Sequence, residues 1–223
     1  ALASSHQEFC MGSSIEIGSN LPIPKEIIFQ AFELCHDDES LLSNYLDTSE
    51  VTRLNNLQLG EKATISKRLL HFLFMADRFN RKYPQFNIFY KFPGTGIHSF
   101  RHVGKQTYEK VQDVYIDTGG LGKGYTVDRI SKYLSEKGYG NHSINFGSSS
   151  IKISGNLVKS LFVQELDKII KLPENACFSG SSTRNKFHIY SGKTGKTLNR
   201  RSFAYAIKQT CSEAEAASKD SLF

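Results

Sequence analysis

The 223-residue chain has no tryptophan, only 2 methionines and 5 prolines, and no apolar run near the ~20 residues that a bilayer-spanning helix needs. Its longest such run, residues 69–76, is broken by His71, so no membrane-spanning helix is expected. C-x-x-C pairs are also absent. Cys10, Cys35, Cys177 and Cys211 are widely separated and have no His at zinc-finger spacing, which argues against a zinc site. Those four sulfurs suit bridges in an oxidising compartment as well as free thiols, and spacing alone does not choose between them. Without internal repeats or low-complexity linkers, the chain falls outside the solenoid and disordered classes. It is 39% hydrophobic and 22% charged, enough for one hydrophobic core, so a single domain over residues 1–223 is expected. Lys and Arg (28) exceed Asp and Glu (22), a net charge of +6 that reads as a solvated surface, with no nucleic-acid partner expected.

Residues 13–17 alternate like a short strand, and apolar spacing predicts helices over residues 24–44 and 66–82. The second helix carries Leu69, Leu73, Ala76 and Phe79 as its core stripe. A strand is expected over residues 111–116. After a glycine-rich turn comes a helix with Val127, Ile130 and Leu134, closed near Gly138 and Gly140. Further strands are expected over residues 143–146, 149–153, 160–164, 187–190 and 203–207, and a helix opens at residues 212–215. The mixture is α and β.

The segment Asp117-Thr118-Gly119-Gly120-Leu121-Gly122-Lys123-Gly124 carries the most chemistry. Glycines let backbone approach a ligand, the following helix offers unpaired N–H groups and a positive dipole end, and Lys123 adds a charge. That combination suits a phosphate or pyrophosphate. A tight strand-to-helix turn alone would account for only one or two of the four glycines. The segment fits neither the Walker A pattern nor the Rossmann G-x-G-x-x-G. Residues 191–197 end like a P-loop, but Tyr190 stands where the first glycine must be, so a basic hairpin turn is the plainer reading. His188, flanked by Phe187 and Ile189, reads first as a structural strand residue.

Several segments, in order, resemble one family. Met11-Gly12-Ser13 is similar to an opening M-G-T. Ser43-Asn44-Tyr45, with Ser49-Glu50-Val51-Thr52-Arg53-Leu54-Asn55, resembles S-x-Y followed by S-E-[IL]-S-R-[LF]-N. The run from Asp117 to Asp128 resembles D-[LF]-G-G-[IL]-A-K-G-Y-[AV]-[VA]-D, and Ser179-Gly180 with His188-Ile189 and Thr194-Gly195 resembles T-S-G-D-Y…H-I-[IL]-D-P-R-T-G. The family is that of the ApbE-like FAD:protein FMN transferases.

The resemblance implies an α+β fold of mixed sheets with packed helices, the T-fold-like architecture of those flavin transferases. It implies FAD as substrate and magnesium as cofactor. FMN would pass to a Thr or Ser of an acceptor protein, or FAD would be hydrolysed to FMN and AMP; a flavin-binding module without turnover is the alternative. Carried over by position, Met11, Ser43, Tyr45, Glu50, Asn55, Asp117, Gly119, Gly120, Lys123, Asp128, Ser179, Gly180, His188 and Thr194 form the nucleotide site. His188 and Asp128 are the candidates for a general base, while Glu50 with Arg53 can equally stabilise a helix start, and Asp128 can equally sit on a solvated helix face. The metal would be held by the Gly122 carbonyl, Glu215 and Ser218, the last two in a run matching D-A-x-x-T. In that run Lys219 replaces the Thr, and an ammonium cannot coordinate magnesium and repels it. A periplasmic or lipid-anchored location is implied as well.

Overall fold

The computed structural model describes residues 3–90, 94–157, 159–183 and 189–223. The chain opens with a hairpin of β1 (Ser4–Cys10) and β2 (Ser13–Ser19), followed by α1 (Lys25–Leu42) and α2 (Glu50–Asn56). β3 (Lys62–Thr64) and α3 (Lys67–Lys82) lead to β4 (Phe89–Tyr90), β5 (Phe100–Gly104), β6 (Thr107–Lys110) and β7 (Tyr115–Ile116). After α4 (Gly122–Glu136) come β8 (His142–Phe146), β9 (Ser150–Ile153), β10 (Lys159–Val163), β11 (Lys168–Leu172), β12 (Cys177–Ser182), β13 (Phe203–Lys208) and α5 (Cys211–Asp220).

The architecture is α+β, as expected. Six antiparallel strands form the main sheet in the order β1-β2-β8-β9-β12-β13, beside a three-stranded sheet β3-β6-β5 and the pairs β4-β7 and β10-β11. The opening hairpin turns at Met11 and Gly12 with φ of 49° and 69°, the left-handed pair that a two-residue connection between twisted strands requires. α3 starts where Ser66 accepts the Leu69 N–H at 3.2 Å, and it buries Leu69, Leu73 and Ala76 of the expected stripe together with Phe72, while Phe79 is half-buried.

α4 packs Val127, Ile130 and Leu134 against Ile15, Ile17, Ile144 and Phe146 of the main sheet. α1 meets α4 through a buried ionic cluster in which Asp38 accepts from Thr126 Oγ1 at 3.0 Å and from Arg129, with Arg68 at 3.6 Å. Burial pushes the Asp38 carboxyl up from its ordinary value, and the Arg129 charge works against that rise. Two disulfides complete the frame: Cys10–Cys35 joins β1 to α1, and Cys177–Cys211 joins β12 to the start of α5.

Several elements differ from the sequence reading. β1, β3, β4, β5, β6, β11 and β12 were not expected, and the strand over residues 111–116 contracts to Tyr115–Ile116, with the Val111 N–H bonded back to Ser99. α4 begins inside the glycine segment rather than after it. Of the strand expected over residues 187–190, residues 187 and 188 lie outside the described residues.

Candidate functional site

The glycine segment forms a corner between β7 and α4, built as a 3-10 turn over Thr118–Gly120. Two asparagines pin it from behind. Asn44 Nδ2 donates to Ile116 O at 2.6 Å, while its Oδ1 accepts the Thr118 N–H at 2.9 Å. Asn55 clamps the same peptide: Nδ2 donates to Ile116 O at 2.9 Å and Oδ1 accepts the Ile116 N–H at 2.7 Å. Within the turn, Asp117 Oδ1 accepts the Gly119 N–H at 3.0 Å.

Two cavities flank this corner, and both are lined by Gly119 and Lys123. One, of about 610 Å³, is walled by β9, β10 and β12 and includes Asn145, Ser148, Ser149, Phe162, Gln164, Phe178, Ser179, Gly180, Ser181, Phe203, Glu215 and Lys219. The other, of about 670 Å³, lies against the end of α1 and the opening hairpin, and takes in Phe9, Met11, Ser43, Tyr45, Leu46, Tyr115, Asp117 and Gly122. Tyr45, 94% exposed, and Phe9, 66% exposed, stand at its rim. Lys123, half-buried between the two, makes no hydrogen bond or ion pair among the described residues. It sits in the first turn of α4, where N–H groups lack intrahelical partners and the dipole is positive. A diphosphate lying across the corner would meet that ammonium and that helix end together.

The glycines have distinct tasks. A Cβ on Gly124 would stand 2.7 Å from the Cys211 backbone carbon and oxygen and 2.9 Å from Glu215 Cδ, so this glycine sets how closely α5 approaches α4. A Cβ on Gly120 would stand 3.0 Å from Lys219 Cε. Gly124 thus serves packing, and Gly119 and Gly122 line cavities.

α5 presents Glu215 and Lys219 to the first cavity. Glu215 is 3% exposed; its Oε1 accepts from Ser150 Oγ at 2.6 Å, and its buried Oε2 has no hydrogen-bond partner among the described residues. Burial lowers the Lys219 ammonium from its ordinary value and Lys123 lowers it further, against the raising pull of Glu215 and Asp117.

The residues indicated for magnesium do not fit that ion. An orphaned carboxylate oxygen on Glu215 is one suitable donor, but Gly122 faces the other cavity. Ser218 lines neither cavity; its hydroxyl donates to the Glu215 carbonyl at 3.1 Å and bonds Ser181 Oγ at 2.7 Å. Lys219 shares the Glu215 cavity and its field. Among the described residues, the cluster of three potential ligand side chains, Cys10, His36 and Glu39, does not include Glu215, and its cysteine is bridged.

Of the other residues indicated by sequence, Met11, Ser43, Tyr45 and Asp117 line the second cavity, Ser179 and Gly180 the first, and Gly119 and Lys123 both. Gly120 adjoins them under Lys219. Glu50 is buried and accepts the Ser66 N–H at 2.5 Å, joining α2 to the start of α3, and Asn55 is the strand clamp described above; neither lines a cavity. Asp128 also stands apart: it accepts from the N–H groups of Cys211 (2.7 Å) and Ser212 (2.9 Å) and from Ser212 Oγ (2.6 Å), which anchors the start of α5. Burial raises its carboxyl from the ordinary value, and those hydrogen bonds hold it down. Asp128 lines neither cavity. Thr194 lies in a hairpin turn closed by Ser191 N–H to Lys196 O at 2.9 Å, and it lines neither cavity. His188 lies outside the described residues.

Sequence reasoning missed Asn145, Ser181, Phe162 and Gln164 as cavity residues. Ser181 could have been found as the i+2 partner of Ser179, since alternate residues of a strand share a face. β10 carries no such signal.

A model of the ApbE family matches residues 91–222. Among solved structures, the flavin transferase ApbE from Vibrio cholerae matches 99% of this chain and 86% of its own length, with a TM-score of 0.78 at 17% identity. The apo form of the Pseudomonas stutzeri flavinyl transferase ApbE matches 99% of this chain and 85% of its own, with a TM-score of 0.81 at 14% identity. The ApbE protein from Thermotoga maritima covers 100% and 86%, with a TM-score of 0.81 at 18% identity. At such identities the likeness is one of fold. Comparison with curated proteins finds no match.

Proposed function

The chain belongs to the ApbE family, and we propose that it transfers FMN from FAD to a Thr or Ser hydroxyl of an acceptor protein, releasing AMP. The observation that carries this reading is the pair of cavities meeting at Gly119 and Lys123. FAD is two ring systems joined by a pyrophosphate, and this site offers two chambers joined by a cationic corner. Each chamber has aromatic residues, Phe178 and Phe203 lining one, and Tyr115 lining the other with Tyr45 at its rim. The solved structures of this fold include flavin transferases, which supports the same reading.

In the proposed reaction the acceptor oxygen forms a bond to the FMN-side phosphorus. The bond from that phosphorus to the bridging oxygen breaks, AMP leaves with the bridging oxygen and its electron pair, and the hydroxyl proton passes to solvent. Water in place of the acceptor hydroxyl would give free FMN and AMP. Such chemistry asks the protein mainly to align the phosphates and neutralise their oxygens. Lys123 and the α4 N-terminus supply both here. The nucleophile arrives with the substrate, and the chain itself need contribute none. Two disulfides favour an oxidising, extracytoplasmic setting for this work.

The test is chromatographic and mass-spectrometric: FAD is incubated with the protein and a library of Ser- and Thr-containing peptides. AMP release matched by an FMN-bearing peptide is expected, and Lys123→Ala should slow it about 10- to 100-fold, as loss of one charge-assisted phosphate contact implies. Intact FAD held by the protein, with no AMP, would instead support a binding module.

A further inference from the structure

Resting on the flavin-nucleotide reading, we propose that Lys219 takes the place of a divalent cation, so that the FAD pyrophosphate is held between the ammonium groups of Lys219 and Lys123 without metal. The geometry that carries this is local. Both lysines line the first cavity, Lys123 from α4 and Lys219 from α5, and neither has a hydrogen bond or ion pair among the described residues. Both lysines are half-buried, and a partly desolvated ammonium gains from a hydrogen-bonded acceptor. Glu215 offsets part of the Lys219 charge, but two ammonium groups facing one cavity with no hydrogen-bonded acceptor among the described residues leave an anion as the missing component.

The surroundings match that assignment. The Lys219 stem lies on Gly120, where a Cβ would come within 3.0 Å of Cε, so the turn is bare at the place the side chain must cross to reach the corner. Glu215, one helical turn earlier, has an orphaned buried Oε2 that faces the same electrostatic neighbourhood. In a metal site that oxygen would be a ligand; here it balances the second lysine. Ser218, the other side chain expected at a metal, is turned to Ser181 and to the Glu215 carbonyl. A hydrated cation would therefore have to displace Lys219 and take the Ser218 hydroxyl from its present partners.

The test is FAD binding, read as quenching of flavin fluorescence, to the intact protein in excess EDTA and in excess magnesium chloride. Equal affinity in the two conditions is expected. Lys219→Thr should lose about 10- to 100-fold in affinity in EDTA, the equivalent of one charge-assisted hydrogen bond to phosphate. Its melting curve would verify that the variant is folded. Wild-type binding that needs magnesium would overturn the inference and leave the flavin reading standing, and so would a folded Lys219→Thr variant that binds as well as wild type in EDTA. No FAD binding in either condition would overturn both.

Discussion

Gly124→Ala is expected to cost the fold about 3 kcal/mol, the upper range for forcing an extra methyl into a packed interior. The added Cβ would lie 2.7 Å from the Cys211 carbonyl carbon and oxygen and 2.9 Å from Glu215 Cδ. The first of these neighbours is backbone, and it is held three ways. Its own disulfide ties it to β12, Asp128 accepts its N–H, and Asp128 accepts the next N–H as well. Yielding would mean moving α5 off α4, and with it Glu215 and Lys219 out of the cavity wall. Urea unfolding followed by circular dichroism should show a lower midpoint at unchanged slope. A midpoint equal to wild type would show that the two helices are not locked as described.

Removing both disulfides should have a still larger effect. The Cys10–Cys35 and Cys177–Cys211 bridges close segments with sequence separations of 25 and 34 residues. Loop closure at those lengths corresponds to about 3.5 kcal/mol for each bridge in the chain-entropy account. Together they approach the whole stability of an ordinary domain, about 5–15 kcal/mol. A chain kept in reductant, or one with all four cysteines replaced by alanine, should be largely unfolded at physiological temperature. The Cys177–Cys211 bridge matters more to the site, because it holds β12, with Ser179 and Ser181, to the helix that carries Glu215. Loss of that bridge alone should weaken FAD binding before the fold fails. A reduced chain that melts within a few degrees of the oxidised one would contradict this account.

The helices were legible because burial imposes a period. α1, α3 and the second half of α4 each carry an apolar stripe at helical spacing, and Ser66 is a capping residue placed where α3 starts. β12 was not legible: its sequence, Cys-Phe-Ser-Gly-Ser-Ser, is poor in the branched and aromatic residues that mark strands. Small hydroxyl residues line the cavity there, so the property that makes the strand useful hides it. β1 failed for a related reason, being a mostly exposed edge strand of polar residues.

The site was legible as a segment but not as a set of roles. Glycines and a lysine before a helix pointed to the corner, and the corner is where two cavities meet. Sequence says that Asp128, Glu50 and Asn55 can accept hydrogen bonds, but not from which side donors will come. In the fold the donors are the Cys211 and Ser212 amides, the Ser66 amide and the Ile116 amide, so all three hold elements together. Asn44, which anchors the turn from the end of α1, was legible only as part of a resembling run.

The most direct measurement is a comparison of FAD, FMN and AMP binding to the wild-type protein by isothermal titration. A ligand that spans two chambers and their cationic corner should bind at least about 100-fold more tightly than either half alone, since each half leaves one chamber and part of the phosphate contact unused. FMN or AMP binding as tightly as FAD would place the whole recognition in one cavity and contradict the account of a dinucleotide held across Gly119 and Lys123.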